Sequence, residues 1–303
     1  EKLFEFSRAV LRDKSLRNGG NTIMRRIENQ IYDEERAWYG CDNVELVNCR
    51  FDGPADGESA CKEAKRLSVR NCFFNLRYPF WHDDEVQIED SELTSLCRAA
   101  LWYSKDITIR GTKLHGIKAL RECGQVTVED CDIVSPEFGW SVTDIKMKNS
   151  KAVSEYFMMR SSNLIFENVE LQGKYSFQYI ENAEFVNCRF DTKDAFWHSK
   201  HVVVRDSVVK GEYLAWYAQD ITFINCQIIG TQPFCYDREL KLIGCQMLET
   251  DLAFEKSDVE ATITTPVLSV KNPRSGHIVL PSAGEIIMDD EEAKGTVEIK
   301  SGD

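Results

Sequence analysis

The sequence predicts an all-β solenoid, one chain wound into about twelve coils of about 19 residues, and three observations predict it. One position recurs as Asn29, Asn48, Asn71, Asp90, Gly111, Asp130, Asn149, Asn168, Asn187, Asp206, Asn225 and Gly244, and nine of the eleven intervals are 19 residues. Each occupant is Asn, Asp or Gly, the residues that tolerate a left-handed backbone at a sharp corner. Two and four residues before every corner from Asn48 onward the side chains are apolar, as in Val44 and Leu46, Ile107 and Ile109, or Val202 and Val204. Period-two alternation rich in β-branched residues is a strand with one buried face. Further apolar stacks recur three residues after the corner (Phe51, Phe74, Leu93, Leu114, Ile133) and ten residues before the next (Phe80, Leu101, Leu120, Phe177, Phe196). Three short strands per coil give a single-stranded parallel β-helix, right-handed by the general chirality of parallel crossovers. At ~4.8 Å per rung, about twelve rungs span on the order of 55 Å.

A chain of 303 residues could make one domain or two. The repeat makes it one elongated unit in which each coil contacts only its neighbours. Residues 1–23 lack the corner, and Leu3, Phe4, Phe6, Val10 and Leu11 suit an amphipathic helix capping the first coil. The coils occupy 24–256. From Ser257 the period breaks down, so 257–303 read as closing strands and, from Asp289, a loosely held acidic tail. A four-residue insertion around Gly53 to Gly57 and a two-residue insertion near Leu96 to Arg98 both border the third segment. Loops that interrupt a regular scaffold are favoured places for function.

The formal charge of −13 argues against nucleic acid or an anionic membrane as partner, since both select basic surfaces. No apolar run approaches a membrane span. No signal-peptide pattern opens the chain, and its start at Glu1 leaves room for a leader already removed. Of eleven cysteines, six (Cys49, Cys72, Cys131, Cys188, Cys226 and Cys245) directly follow the corner, where other coils carry Ser91, Thr112, Ser150, Val169 or Ser207. Interchange with Ser marks a column that wants a small buried side chain, so free thiols are expected rather than bridges. No CxxC pair or His spacing suggests zinc, and no metal site is expected. Reduced thiols point to a cytoplasmic rather than secreted location.

Two charged columns alternate in sign from rung to rung: Arg70, Glu89, Arg110, Glu129, Lys148 and Glu167 before the corner, and Glu92, Lys113, Asp132, Lys151, Glu170 and Arg189 after it. Stacked neighbours need this alternation to avoid like charges one above another, so these faces read as solvated walls.

The third segment is different. Nine residues before the corner stand Trp81, Trp102, Arg121, Trp140, Trp197 and Trp216, and the next column holds His82, Tyr103, Glu122, Arg160, Tyr179, His198, Tyr217 and Tyr236. If the apolar column before the tryptophans points inward, alternation turns the indoles outward, as a platform for sugar rings. The small column after them (Ala64, Ser104, Cys123, Ser161, Ser199, Ala218) also asks to be inside. Parity would then bury the tryptophans, so a bulge or bend must lie within the segment. Candidate substrate-binding residues are Trp81, Trp102, Trp140, Arg160, Trp197, His198, Trp216 and Tyr217. Candidate catalytic residues are Arg121 with Glu122, and His82 beside Asp83 and Asp84; His198 repeats the His82 context six rungs away, too far to share a site. A lyase on acidic polysaccharide would use Arg or Lys as base and could hold calcium on carboxylates, and no cofactor is otherwise implied. Triad, P-loop and dinucleotide motifs are absent.

The segments "YDEERAWYG", "DGESACKEAK", "DAFWHS" and "VKNPRSGHIVLPSAGEIIMDD" resemble a bacterial family of right-handed parallel β-helix proteins known as a domain of unknown function, with pectate-lyase-like architecture. The resemblance covers Arg25 to about Asp290 and implies the fold; it carries over no catalytic residues. Two functional expectations follow. One is a carbohydrate-binding or carbohydrate-active protein, as an enzyme a polysaccharide lyase or glycoside hydrolase, using the aromatic segment. The alternative is a non-enzymatic scaffold presenting that segment to a protein partner. Oligomeric state is left open.

Overall fold

The computed structural model describes residues 24–53 and 58–300, and the expected N-terminal cap at 1–23 lies outside them. Among the described residues there is no helix, and about fourteen turns of chain stack by parallel strand pairing. The first sheet is built from the strands that lead into each corner. Lys105–Arg110, Gly124–Glu129, Thr143–Lys148 and Ser162–Glu167 run in register, Ile107 beside Val126, Ile145 and Leu164. The second follows each corner, with Leu114 beside Ile133, Ala152 and Leu171. Leu240–Leu248 runs unbroken through the corner at Gly244, pairs with both, and joins them into one 26-stranded sheet. The third segment pairs as strand in three successive coils, Phe80–Trp81, Leu101–Trp102 and Leu120–Arg121. From Gly139 onward it tightens into alternating left-handed turns, as at Tyr156, Met158 and Arg160.

All twelve predicted corner residues have φ between 48° and 63°. Tolerance of that backbone explains Asn, Asp and Gly, and stacking explains why Asn leads. Asn187 Nδ2 donates to Asn168 Oδ1 at 2.6 Å, and Asn168 Nδ2 to Asn149 Oδ1 at 2.9 Å. Asn71 and Asn225 reach one rung back to Asn48 and Asp206 in the same way, both at 2.6 Å. The corner is an amide ladder.

All eleven cysteines are free. Except at Val169, the column after the corner supplies a donor as well as a small volume. Cys131 Sγ donates to the Glu129 carbonyl just as Ser91 Oγ donates to Glu89 and Ser150 Oγ to Lys148. The same Ser oxygens accept from the rung below, Cys72 N–H to Ser91 Oγ at 3.0 Å and Cys131 N–H to Ser150 Oγ at 3.1 Å. Burial pushes the Cys72 and Cys97 thiols up to about 12, so they remain protonated.

Inside, the inward columns fuse into one core in which Phe74, Phe80, Phe138, Phe157, Phe177, Phe185 and Phe196 are fully buried. Each such ring contributes roughly 1.5–3 kcal/mol by leaving water. Outside, the charge ladders close as read: Arg110 Nε lies 2.7 Å from Glu129 Oε2, Lys148 Nζ 2.8 Å from Glu167 Oε2, and Lys151 Nζ 3.4 Å from Glu170 Oε2. Exposed pairs contribute about 0–1 kcal/mol each, so they guide register more than they stabilise.

Beyond Ser257 the spacing loosens but the ladder persists. Asp258–Ile263, Ser275–Leu280 and Thr296–Ile299 add parallel rungs, with Ala261 beside Ile278 and Ile278 beside Val297. Thr296–Ile299 falls within the segment read as a loose tail; Val297 packs on the core and Glu298 meets His277 Nε2 at 2.9 Å. Of the first insertion, residues 54–57 lie outside the described residues. In the second, Leu96 is exposed while Cys97 is buried, its Sγ donating to the Phe74 carbonyl at 2.9 Å.

Candidate functional site

The parity conflict of the third segment is settled by backbone. His82, Tyr103, Glu122, Ser141, Arg160, Tyr179, His198, Tyr217 and Tyr236 all have positive φ, between 48° and 65°. A left-handed residue standing between them in each coil breaks the alternation, so both the column before the tryptophans and the small column after the His/Tyr residues point inward. Each coil therefore turns sharply here, with His/Tyr at the crest.

The five tryptophans of this column are half-buried and engaged by their N–H groups and ring faces. Each indole N–H donates to a carbonyl of the next coil: Trp102 to Lys118 at 2.8 Å, Trp140 to Tyr156 at 2.7 Å, Trp197 to Tyr213 at 2.6 Å and Trp216 to Gln232 at 2.7 Å, with Trp81 to Ala99 at 2.5 Å. The acceptors Ala99, Lys118, Tyr156 and Tyr213 are themselves left-handed residues. Gln178 occupies the same column without an indole, yet its Nε2 donates to the equivalent carbonyl, Asp194 O, at 2.9 Å. An amide that replaces an indole and keeps its hydrogen bond identifies a structural task. Faces are occupied too: Trp81 stacks on Trp102 at 5.1 Å and 5°, and Trp197 on Trp216 at 5.4 Å and 3°. The Arg121 guanidinium lies between indoles, 5.1 Å from Trp102 and 4.8 Å from Trp140. The column is packing, and the candidate base Arg121 is part of it.

The exposed aromatic residues are those one position later. Tyr179, His198, Tyr217 and Tyr236 stack face to face at 4.9, 5.0 and 4.8 Å, within 11° of parallel. Arg160 closes one end, its guanidinium 5.7 Å from the Tyr179 ring. Farther toward the N-terminus, His82 stacks on Tyr103 at 5.0 Å. Because each ring covers the face of the next, the ladder shows solvent its edges: phenol hydroxyls and imidazole nitrogens. Tyr179 and Tyr217 are both 47% exposed.

Two separate shallow depressions lie along this crest, their other wall the start of the first sheet, and together they make the candidate groove. One depression, about 770 Å³, is lined by Lys65, His82, Asp83, Asp84, Tyr103, Lys105, Glu122 and Thr143. A second, about 390 Å³, is lined by His198, Lys200, Tyr217, Gln219, Tyr236, Arg238 and Arg274. Both fall within the size range of small-ligand sites. Lys105 pairs with Asp84 at 3.3 Å and Arg238 with Asp258 at 3.4 Å.

Beneath the crest lie two buried acids. Asp83 is 1% exposed and Asp237 fully buried. Asp83 Oδ1 accepts the Ala64 N–H at 2.9 Å, and Asp237 Oδ1 the Ala218 N–H at 2.8 Å. Their Oδ2 atoms have no partner. Burial pushes the Asp83 carboxyl up to about 9, against the pull of its backbone hydrogen bonds, and Asp237 well above the usual range. At both positions burial favours the neutral acid.

The structure thus brings His82, Asp83 and Glu122 to one depression and His198 and Tyr217 to another. It sets Arg121 and the five tryptophans behind them, and Arg160 at the end of the second ladder. Sequence reasoning passed over Tyr103, Tyr236, Lys105, Lys200 and Arg238. The first two stood in the His/Tyr column, and the alternating signal of the tryptophans drew attention away from them. Among the described residues no cluster of His, Cys, Asp and Glu fits a metal ion.

Solved structures similar to this chain include the A-module of a mannuronan C-5 epimerase of Azotobacter vinelandii, 8% identical with a TM-score of 0.38, covering 78% of this chain and 88% of that chain. A surface adhesin of Streptococcus pneumoniae is 9% identical with a TM-score of 0.31, covering 87% of this chain and 85% of that one. A tailspike of E. coli bacteriophage HK620, solved with a pentasaccharide, is 7% identical with a TM-score of 0.29, covering 90% and 72%. Likenesses this remote carry no argument about the groove. No curated protein sequence matches the chain. Residues 25–300 match the family described as a protein of unknown function, DUF3737, and the chain belongs to that family.

Proposed function

We propose that the protein binds an extended carbohydrate chain along the groove beside the His/Tyr crest. The observation that carries this reading is the exposed row of ring edges, His82 and Tyr103 and then Tyr179, His198, Tyr217 and Tyr236, facing a wall of Lys65, Asp84, Lys105, Lys200 and Arg238. Hydroxyls, imidazoles and charged groups spaced one rung apart suit a ligand that repeats a hydroxyl-rich unit. Recognition here is by hydrogen bonds from ring edges. Stacking of sugars on indole faces, the expectation from sequence, has less support because each indole has at least one face taken by another indole or by Arg121. The reading is one of binding rather than turnover, since the guanidinium a lyase would use as base is held between two indoles.

The test is a glycan array followed by calorimetry on wild type and a His198→Ala, Tyr217→Ala double variant. Binding of a polysaccharide by wild type and a loss of tenfold or more in the variant are expected. No polysaccharide bound, or equal binding by the variant, overturns the reading.

A further inference from the structure

The two depressions are built from the same sequence motif. Phe80-Trp81-His82 is followed one coil later by Leu101-Trp102-Tyr103; Phe196-Trp197-His198 is followed one coil later by Ala215-Trp216-Tyr217. The three-dimensional copies agree as closely as the letters. In each, two indoles stack nearly parallel, at 5.1 Å and 5° in the first and 5.4 Å and 3° in the second. In each, a His stacks on a Tyr at the exposed crest, both at 5.0 Å. Each indole is tied by its N–H to the next coil, so both His–Tyr pairs stand on the same rigid base. No other coils place His above Tyr in this column.

Three buried polar atoms without a partner, besides Trp38 Nε1, lie in or next to these coils. Asp83 Oδ2 lies in the His82 coil, Ser199 Oγ in the His198 coil and Asp237 Oδ2 in the Tyr236 coil, all buried and without a partner. They belong to the column just inside the crest, where other members are satisfied: Ser104 Oγ donates to the Phe80 carbonyl at 3.0 Å and Ser161 Oγ to the Gly139 carbonyl at 2.6 Å. Buried polar atoms without partners are unusual in native structures and call for a reason.

We propose that His82–Tyr103 and His198–Tyr217 are twin binding centres on one groove, and that their ligand is a polymer long enough to occupy both. The proposal rests on the carbohydrate reading above and adds the number of sites and the length of the ligand. Six rungs separate the two histidines, roughly 29 Å at ~4.8 Å per rung. A rigid solenoid holds that spacing constant, so occupation of one centre by a chain of sufficient length presents the rest of the chain to the other at high effective concentration. Their charged walls differ: Asp84 and Lys105 pair beside the first, whereas Lys200 and Arg238 stand beside the second.

Histidine NMR on the full chain tests this directly. The chain has five histidines, and His115 and His277, which lie off the groove, serve as internal references. The probes are cellotriose, mannotriose, xylotriose and trigalacturonate, with hydroxyethylcellulose, glucomannan, xylan and polygalacturonate as their polymers. At least one trisaccharide is expected to move the imidazole signals of both His82 and His198 with two sites per chain, and its polymer to bind at least tenfold tighter with one polymer segment across both. Tyr217→Phe keeps the ring stack and removes one hydroxyl; it should bring the polymer down toward the trisaccharide's affinity and leave the His82 titration unchanged. If no probe moves either histidine, the carbohydrate reading falls and the twin centres with it. If a probe moves only one histidine, or polymer and trisaccharide bind equally, the twin-centre proposal alone is overturned.

Discussion

Trp102 and Tyr103 are neighbours in sequence, both aromatic, and they serve opposite ends. Trp102 is half-buried, hydrogen-bonded to Lys118, stacked on Trp81 and capped by Arg121; Tyr103 stands at the crest with its edge in water. The same contrast holds between Trp216 and Tyr217. What separates them is the left-handed backbone at the second residue of each pair, which turns its ring away from the body that holds the first. In a solenoid, ring faces are consumed by the rungs above and below. Aromatic character therefore says little about exposure, and the backbone corner says a great deal.

The comparison breaks first if the tryptophans can be lost without harm. Trp102→Ala should destabilise by about 3–5 kcal/mol, because it opens a cavity, orphans the Lys118 carbonyl and uncovers one face of Arg121. A denaturant midpoint within a few tenths of wild type would return the indoles to the list of free binding groups. Next comes the left-handed corner column. Asn168→Val should cost roughly 1–3 kcal/mol, since a β-branched side chain is forced to positive φ and two ladder bonds, to Asn149 and from Asn187, are lost. An unchanged thermal melt would show that the corner does not need its amide.

The buried acids sharpen the comparison through pH. Asp83 has a folded pKa of about 9, well above the ~3.9 of an unfolded chain. Between those values the native state holds a proton that the unfolded state has released, so the contribution of Asp83 to stability is greatest below about pH 4 and falls as pH rises toward 9. Asp237 acts with the same sign. Asp83→Asn keeps an acceptor for the Ala64 N–H and cannot ionise, so it should flatten the profile and gain about 1 kcal/mol or more at pH 8 relative to wild type. Melts at pH 5 and pH 8 that shift equally for the two proteins would mean that Asp83 is ionised when folded. The smallest effect belongs to the crest: Tyr103→Ala should change stability by less than about 1 kcal/mol. A loss comparable to that of Trp102→Ala would place Tyr103 in the packing as well and remove the contrast.

The 19-residue period, the corner residues, the first two strands of each coil and the charge ladders could be read from the sequence because each is a local rule repeated many times. A position that recurs as Asn, Asp or Gly has one common physical demand, and twelve repetitions average away the exceptions. The Ser/Cys column was legible as small and buried, but its donor role was not, because a hydrogen bond to the corner's carbonyl requires knowing where that carbonyl points. The third segment resisted for a related reason. Its tryptophan, His/Tyr and small columns demanded incompatible parities, and only backbone dihedrals at His82, Tyr103 and their equivalents resolve them.

By itself, then, the sequence determined a stacked parallel solenoid, its register and its reduced-looking cysteine column, all consequences of period and side-chain type. Tertiary structure decided which aromatic column faces water, that Arg121 is locked between indoles, that Asp83 and Asp237 are buried acids, and that two copies of one His–Tyr pair stand on one crest. Those outcomes depend on contacts between coils 16 to 24 residues apart. Such contacts exist only once the chain has closed each turn upon the last.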